Sequence, residues 1–224
     1  MPVYDTHEAI QEYERHSVEK QQMLDDLKKI IEGFHCYLEG NSFYYDATCT
    51  LFAELYTKQV NIFWCGKQAK SRICEIGFNA GHSTMLMLLG REQTPVDLTI
   101  FDIGHHVYTK PCMEYIKQRF PHVTLEYIEG DSTVTMPKWI EDHSHYSGTY
   151  DLIHVDGGHS EACIRNDMKI SDMLLKVDGS MIVDDVYAAH INRCVNEYLA
   201  SGNYKEIDIL PTVGYTHRVI HKIK

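Results

Sequence analysis

A chain of 224 residues with 44% hydrophobic and 24% charged side chains is long enough for one α/β domain with a sizeable core. Lys plus Arg number 21 and Asp plus Glu 32, so the formal net charge is −11, which argues against a broad nucleic-acid footprint while leaving room for a small basic patch. The seven cysteines (36, 49, 65, 74, 112, 163 and 194) include no C-x-x-C pair and read as free thiols of a reducing compartment rather than a disulfide framework. The polar N-terminus shows no secretory signal, and no apolar run approaches the ~20 residues that span a bilayer. These features predict a cytoplasmic protein with neither membrane nor nucleic acid as partner.

In chain order, residues 5–34 predict one amphipathic helix, with Asp5 and Glu8 placed to cap it and Gly33 to end it. Met23, Leu24, Leu27, Ile30, Ile31 and Phe34 form its apolar stripe, read either as packed on the core or as a lid or dimer helix that would make the chain a homo-oligomer. A tyrosine-rich turn over 40–46 and a second helix over 47–64 follow. From residue 71 the pattern alternates. Strands are predicted over 73–76, 98–101, 124–128, 152–155 and 180–183, with helices over 83–89, 111–119, 134–141, 161–175 and 188–200 between and after them. Two more strands, 205–209 and 216–220, end the chain. The alternation implies a doubly wound α/β sheet, mainly parallel and covered on both faces. The division is an N-terminal helical extension over 1–70 and an α/β domain over 71–224.

Between the first strand and its helix lies Glu75-Ile76-Gly77-Phe78-Asn79-Ala80-Gly81-His82-Ser83. Its spacing is acid-x-Gly-x-x-x-Gly, not the G-x-G-x-x-G of dinucleotide sites. Acids recur at the ends of the later strands: Asp102, Asp131 with Ser132, Asp156 and Asp184-Asp185. Each alone could cap the next helix. Five in a row beyond the carboxyl ends, where open α/β sheets bind ligands, point to a site.

This array resembles the class I S-adenosylmethionine (SAM)-dependent methyltransferases. The resemblance implies a Rossmann-like seven-stranded sheet with an antiparallel last strand, and SAM as cofactor. It assigns Glu75, Gly77, Asn79, Gly81 and Ser83 to the amino acid end of SAM, a carboxylate being able to hold the ammonium. Asp102 falls to the ribose hydroxyls, and Asp131 and Ser132 to the adenine edge. Asp156 with Asp184 and Asp185 resembles the magnesium site of metal-dependent O-methyltransferases. An Asp-Asp pair replaces the Asp-Asn of the catechol and caffeoyl-CoA types and is closer to the enzymes that methylate macrolide sugars. Three clustered carboxylates suit Mg²⁺, which would grip a vicinal diol and acidify one hydroxyl. His159, three residues after Asp156, matches the position of the base; its structural alternative is a cap on the helix that follows. The expected activity is SAM-dependent O-methyl transfer to a small-molecule hydroxyl, a sugar before a phenol or catechol. The alternatives are a metal-independent methyltransferase and a non-catalytic SAM-binding partner subunit. His105-His106 and His143 with His145 read as solvent-facing. Tyr44, Tyr45, Trp64, Tyr187 and Tyr215 read as pocket or packing aromatics.

Overall fold

The computed structural model describes residues 5–36, 41–44, 53–207 and 216–224, with nothing said of the side chains of residues 53 and 54. The predicted N-terminal helix is two: α1 (Thr6–Arg15) and α2 (Ser17–Gly33). Asp5 does cap α1, accepting from the backbone N–H of His7 and Glu8 at 2.9 and 3.3 Å. The break falls at His16 (φ −92°, ψ 11°), whose ring packs 5.5 Å from that of Phe63. It lets two apolar stripes face different neighbours. Ala9 and Tyr13 of α1 turn toward α3 (Ala53–Gln68), while α2 lies along α4 (His82–Arg91) and α5 (Thr109–Arg119).

The strands are β1 (Arg72–Ile76), β2 (Val96–Asp102), β3 (Val123–Glu129), β4 (Tyr150–Val155), β5 (Leu175–Asp184), β6 (Tyr204–Glu206) and β7 (His217–Lys222). They form one seven-stranded sheet in the order β3-β2-β1-β4-β5-β7-β6. β1 to β5 pair in parallel and β7 runs antiparallel to both of its neighbours. Residues 208 and 209 of the predicted sixth strand lie outside the described residues. Side chains alternate between two cores, as the period of two requires. Ile73, Leu98, Leu152 and Ile182 pack under α1 to α5. Cys74, Ile153, Met181 and Val183 pack under α6 (Ser132–Asp142), α7 (Glu161–Leu174) and α8 (Ala189–Ala200).

The N-terminal helices share the first of these cores. α3 and α4 touch through glycines. A Cβ on Gly66 would lie 2.3 Å from the Met87 carbonyl oxygen, and one on Gly90 would lie 2.3 Å from that of Phe63. Only bare backbone permits that approach, which locks α3 against the helix that opens from the Gly77–Gly81 loop.

Candidate active site

The chain builds outward from β1 to β3, then returns to place β4 on the other side of β1. Loops leaving β1 and β4 therefore diverge, and a crevice opens beyond the carboxyl ends of the strands at this switch point. A cavity of about 980 Å³ lies there. Gly77, Phe78, Asn79, Ser83, Asp102, Asp131, Ser132, Asp156, His159, Asp184 and Asp185 all contribute to its wall. Of the sequence-predicted site residues, Glu75 and Gly81 do not.

Gly77 sits where β1 ends, at φ +89°. A Cβ there would meet the Asp156 carbonyl oxygen at 1.9 Å. The close approach is fixed from both sides, because Asp156 N–H donates to the Ile76 carbonyl at 2.8 Å and Gly77 N–H to that of Phe101 at 2.8 Å. Asp102 braces the same loop. Its Oδ2 accepts from the N–H of Phe78 and Asn79 at 2.8 and 2.9 Å, and its Oδ1 from Gly104 N–H at 2.7 Å. With both lone pairs of Oδ2 engaged, Oδ1 is the oxygen that keeps acceptor capacity. Asp131 caps α6, accepting from Thr133 N–H at 2.8 Å, and still lines the cavity.

Glu75 differs from expectation. It is fully buried behind the cavity wall. Ser83 Oγ donates to its Oε1 at 2.5 Å, Thr84 Oγ1 to its Oε2, and His154 Nδ1 lies 3.1 Å from Oε1. The carboxylate organises the start of α4 and the middle of β4 instead of facing a ligand's ammonium.

Asp156, Asp184 and Asp185 share the cavity wall but do not gather as one three-ligand set; Asp184 and Asp185 fall into separate groups, each with Asp156. Asp184 is buried, and its Oδ1 accepts from Asp185 N–H at 3.0 Å. Asp185 holds φ +54°, a left-handed conformation that is uncommon outside glycine and that aspartate tolerates better than most. Neither carboxylate caps α8, whose N-cap is Ala188 with no side-chain hydrogen bond. His159 does not cap α7 either; Ser160 Oγ does, accepting from Cys163 N–H at 3.1 Å. His159 instead places Nε2 2.8 Å from Asp185 Oδ2, with its side chain 65% exposed at the cavity rim.

Lys58 is the unexpected member. It rises from α3, is only 6% exposed, and donates to Asp184 Oδ2. The sequence signal was a solitary charge in the otherwise uncharged stretch 55–66. Burial would raise the Asp184 carboxyl, but Lys58 overcomes this and holds it below the usual range. Asp156 goes the other way: burial first, then the charge of Asp184, raises it well above the carboxylate norm despite Lys58. One ammonium thus stands against three carboxylates, and the cluster is short of positive charge. His154 is a second missed residue. It is fully buried on β4, and one donor atom each from His154, Asp156 and Asp184 lie within 4.8 Å of one another, as do one each from Asp156, His159 and Asp185.

Among the other aromatics and histidines, Tyr187 is exposed and lines the cavity. Tyr44 and Trp64 are core, and Tyr45 and Tyr215 lie outside the described residues. His105 is exposed as expected, whereas His106 stacks on Tyr108 at 4.8 Å and lines the cavity. His145 is exposed, but His143 is half-buried, stacked on Trp139 at 4.4 Å. No helix among the described residues is long and apolar enough to cross a membrane.

Three comparisons bear on this site. Residues 74–186, half of the chain, match the family described as a methyltransferase domain. No curated protein matches the sequence. Among solved structures, the S-adenosylhomocysteine (SAH)-bound methyltransferase PaMTH1 of Podospora anserina is similar over 100% of this chain and 98% of its own, with a TM-score of 0.60 and 12% identity. MycE methyltransferase of the mycinamycin biosynthetic pathway, in complex with Mg and SAH, has a TM-score of 0.54 and 12% identity over 89% of this chain. The chain spans only 55% of MycE. A candidate caffeoyl-CoA O-methyltransferase of Staphylococcus aureus has a TM-score of 0.56 and 15% identity, over 92% of this chain and 99% of its own. At such identities these likenesses establish the fold. With the matched region running from Cys74 on β1 to Val186 just past β5, and so enclosing the glycine loop and every acid at the cavity, the chain, with its class I fold, belongs to the methyltransferase-domain family.

Proposed function

We propose that the chain transfers the SAM methyl group to a hydroxyl of a small molecule, a sugar before a catechol, with a divalent cation at Asp156, Asp184 and Asp185. The observation that carries this reading is one cavity lined at once by the glycine loop with Asp102 and Asp131, and by the acidic trio with His159. The first set suits a nucleoside-bearing donor. The second suits an acceptor whose proton must leave.

The donor set fits a dication: hard carboxylate oxygens, half-buried to buried, with a deficit of positive charge that Lys58 alone does not remove. Such an ion, when bound, would orient the acceptor oxygen and lower its pKa. His159 is placed to take the hydroxyl proton. Asp185 orients its ring through Nε2 and favours the imidazolium once formed, as a carboxylate does for a general-base histidine. Asp102 and the backbone it holds fix the loop, so catalysis would rest on positioning and on electrostatics arranged in advance.

Lys58 favours a second reading. It supplies a cation to the acids, so a metal-independent transferase with the same SAM half is physically coherent. Transfer of labelled methyl from SAM to a panel of sugars and catechols, with Mg²⁺ or with EDTA, separates the two. Transfer that survives EDTA selects the metal-independent reading, and a panel with no acceptor methylated at all counts against both.

A further inference from the structure

We infer that His154 is a nitrogen ligand of the proposed cation site, and that the site is therefore built for a first-row transition-metal dication rather than for Mg²⁺. This rests on the dication reading above and extends it from three oxygen ligands to a mixed nitrogen and oxygen set.

His154 is fully buried in the middle of the sheet. Its Nδ1 lies 3.1 Å from Glu75 Oε1. Glu75 accepts from the hydroxyls of Ser83 and Thr84 as well, so it acts as an acceptor of three bonds and Nδ1 is the donor to it. That fixes the tautomer and leaves a lone pair on Nε2. Nε2 is buried and has no hydrogen-bond partner. An orphaned polar nitrogen in a core carries a desolvation cost and calls for a reason. The neighbouring groups supply one: donor atoms of His154, Asp156 and Asp184 gather within 4.8 Å of one another. A carboxylate holding one ring nitrogen of a histidine whose other nitrogen faces an ion is the arrangement by which proteins orient metal-binding imidazoles. Glu75, which does not line the cavity, thereby gains a role as the carboxylate behind the ligand. An imidazole nitrogen is a poor ligand for Mg²⁺ and a good one for first-row transition ions.

The test is pulsed electron paramagnetic resonance of Mn²⁺-loaded protein, with natural-abundance and with ¹⁵N-labelled histidine. The wild type should show modulation from a directly coordinated imidazole nitrogen that changes on ¹⁵N labelling. The signal should persist in His159→Ala, which alters an exposed side chain, and vanish in His154→Gln. Mn²⁺ should also displace Mg²⁺ with a Kd at least about ten-fold lower. Bound Mn²⁺ without nitrogen modulation in the wild type overturns the inference and leaves the oxygen-ligated dication standing. Modulation that disappears in His159→Ala overturns it in favour of the rim histidine. Failure of the wild type to bind Mn²⁺ or Mg²⁺ removes the dication reading itself. The wild type and His159→Ala decide the matter even if His154→Gln does not fold.

Discussion

Replacing Lys58 by methionine keeps the length of the side chain and deletes a cation from the acidic cluster. Asp184 is 3% exposed and would lose its ion-pair partner. Removing one side of a buried pair costs about 3–5 kcal/mol, because the remaining charge is stranded in a medium that solvates it poorly. For a domain of this size each kcal/mol moves Tm by about 2–4 °C, so EDTA-treated Lys58→Met should melt about 6–20 °C below EDTA-treated wild type. The sign with pH also follows. The Asp184 carboxyl is depressed in the folded state, so its contribution is present at neutral pH and is lost as pH falls through its folded pKa. The gap between variant and wild type should therefore shrink in acid. Lys58 and a dication are alternative neutralisers of the same oxygens. Without the ammonium the dication should bind more tightly; at a concentration 100 times Kd it would return about 2.7 kcal/mol. Parallel thermal melts with EDTA and with Mn²⁺ read both effects. A loss below about 1 kcal/mol would show that Lys58 does not neutralise Asp184 in the fold, and a metal-induced Tm gain no larger than in wild type would show that Lys58 and the dication do not compete for the same oxygens.

Three further outcomes are expected. His159→Ala should lower kcat by about 10²–10⁴-fold with Tm nearly unchanged, since Ser160 and not His159 caps α7; a destabilised but fully active variant would contradict the assignment. Gly77→Ala should fail to fold or lose SAM binding, because its Cβ would stand 1.9 Å from the Asp156 carbonyl oxygen at a φ of +89°; wild-type stability in that variant would show the loop to be looser than described. Burial lowers His82 from 6.5 to about 4, so its neutral form is favoured in the fold and stability falls as pH drops from 6.5 toward 4. At pH 5 this amounts to about 2 kcal/mol, and denaturant unfolding of His82→Gln should show an acid loss smaller than that of wild type by about this amount.

The sheet was legible because its strands carry a period of two beside helices of longer period. Ile73 and Cys74 face opposite cores, as alternation demands. The acids at the strand ends were legible for a related reason: the topology turns regular spacing in sequence into convergence in space. Two kinds of information were not. The break at His16 has no proline or glycine to announce it; it exists because α1 and α2 face different partners. The inward course of Glu75, and the arrival of Lys58 and His154 at the acids, depend on contacts between residues far apart in the chain. Lys58 reaches Asp184 across 126 positions. A solitary lysine in the otherwise uncharged stretch 55–66 and the one histidine of a mainly apolar strand were the available signals, and neither says toward what the side chain points. The fit of α3 on α4 through Gly66 and Gly90 decides it for Lys58.

On the proposed function, SAM occupies one half of the cavity, beside the glycine loop and Asp102, and the acceptor occupies a separate acidic half. Calorimetric titration of SAH into wild type, Asp102→Ala and Asp185→Ala, each with Mn²⁺ and with EDTA, tests it most directly. SAH should bind the wild type, EDTA and Asp185→Ala should leave that binding largely intact, and Asp102→Ala should weaken it by about 1–3 kcal/mol. No binding to the wild type, or equal weakening by Asp102→Ala and Asp185→Ala, would contradict it.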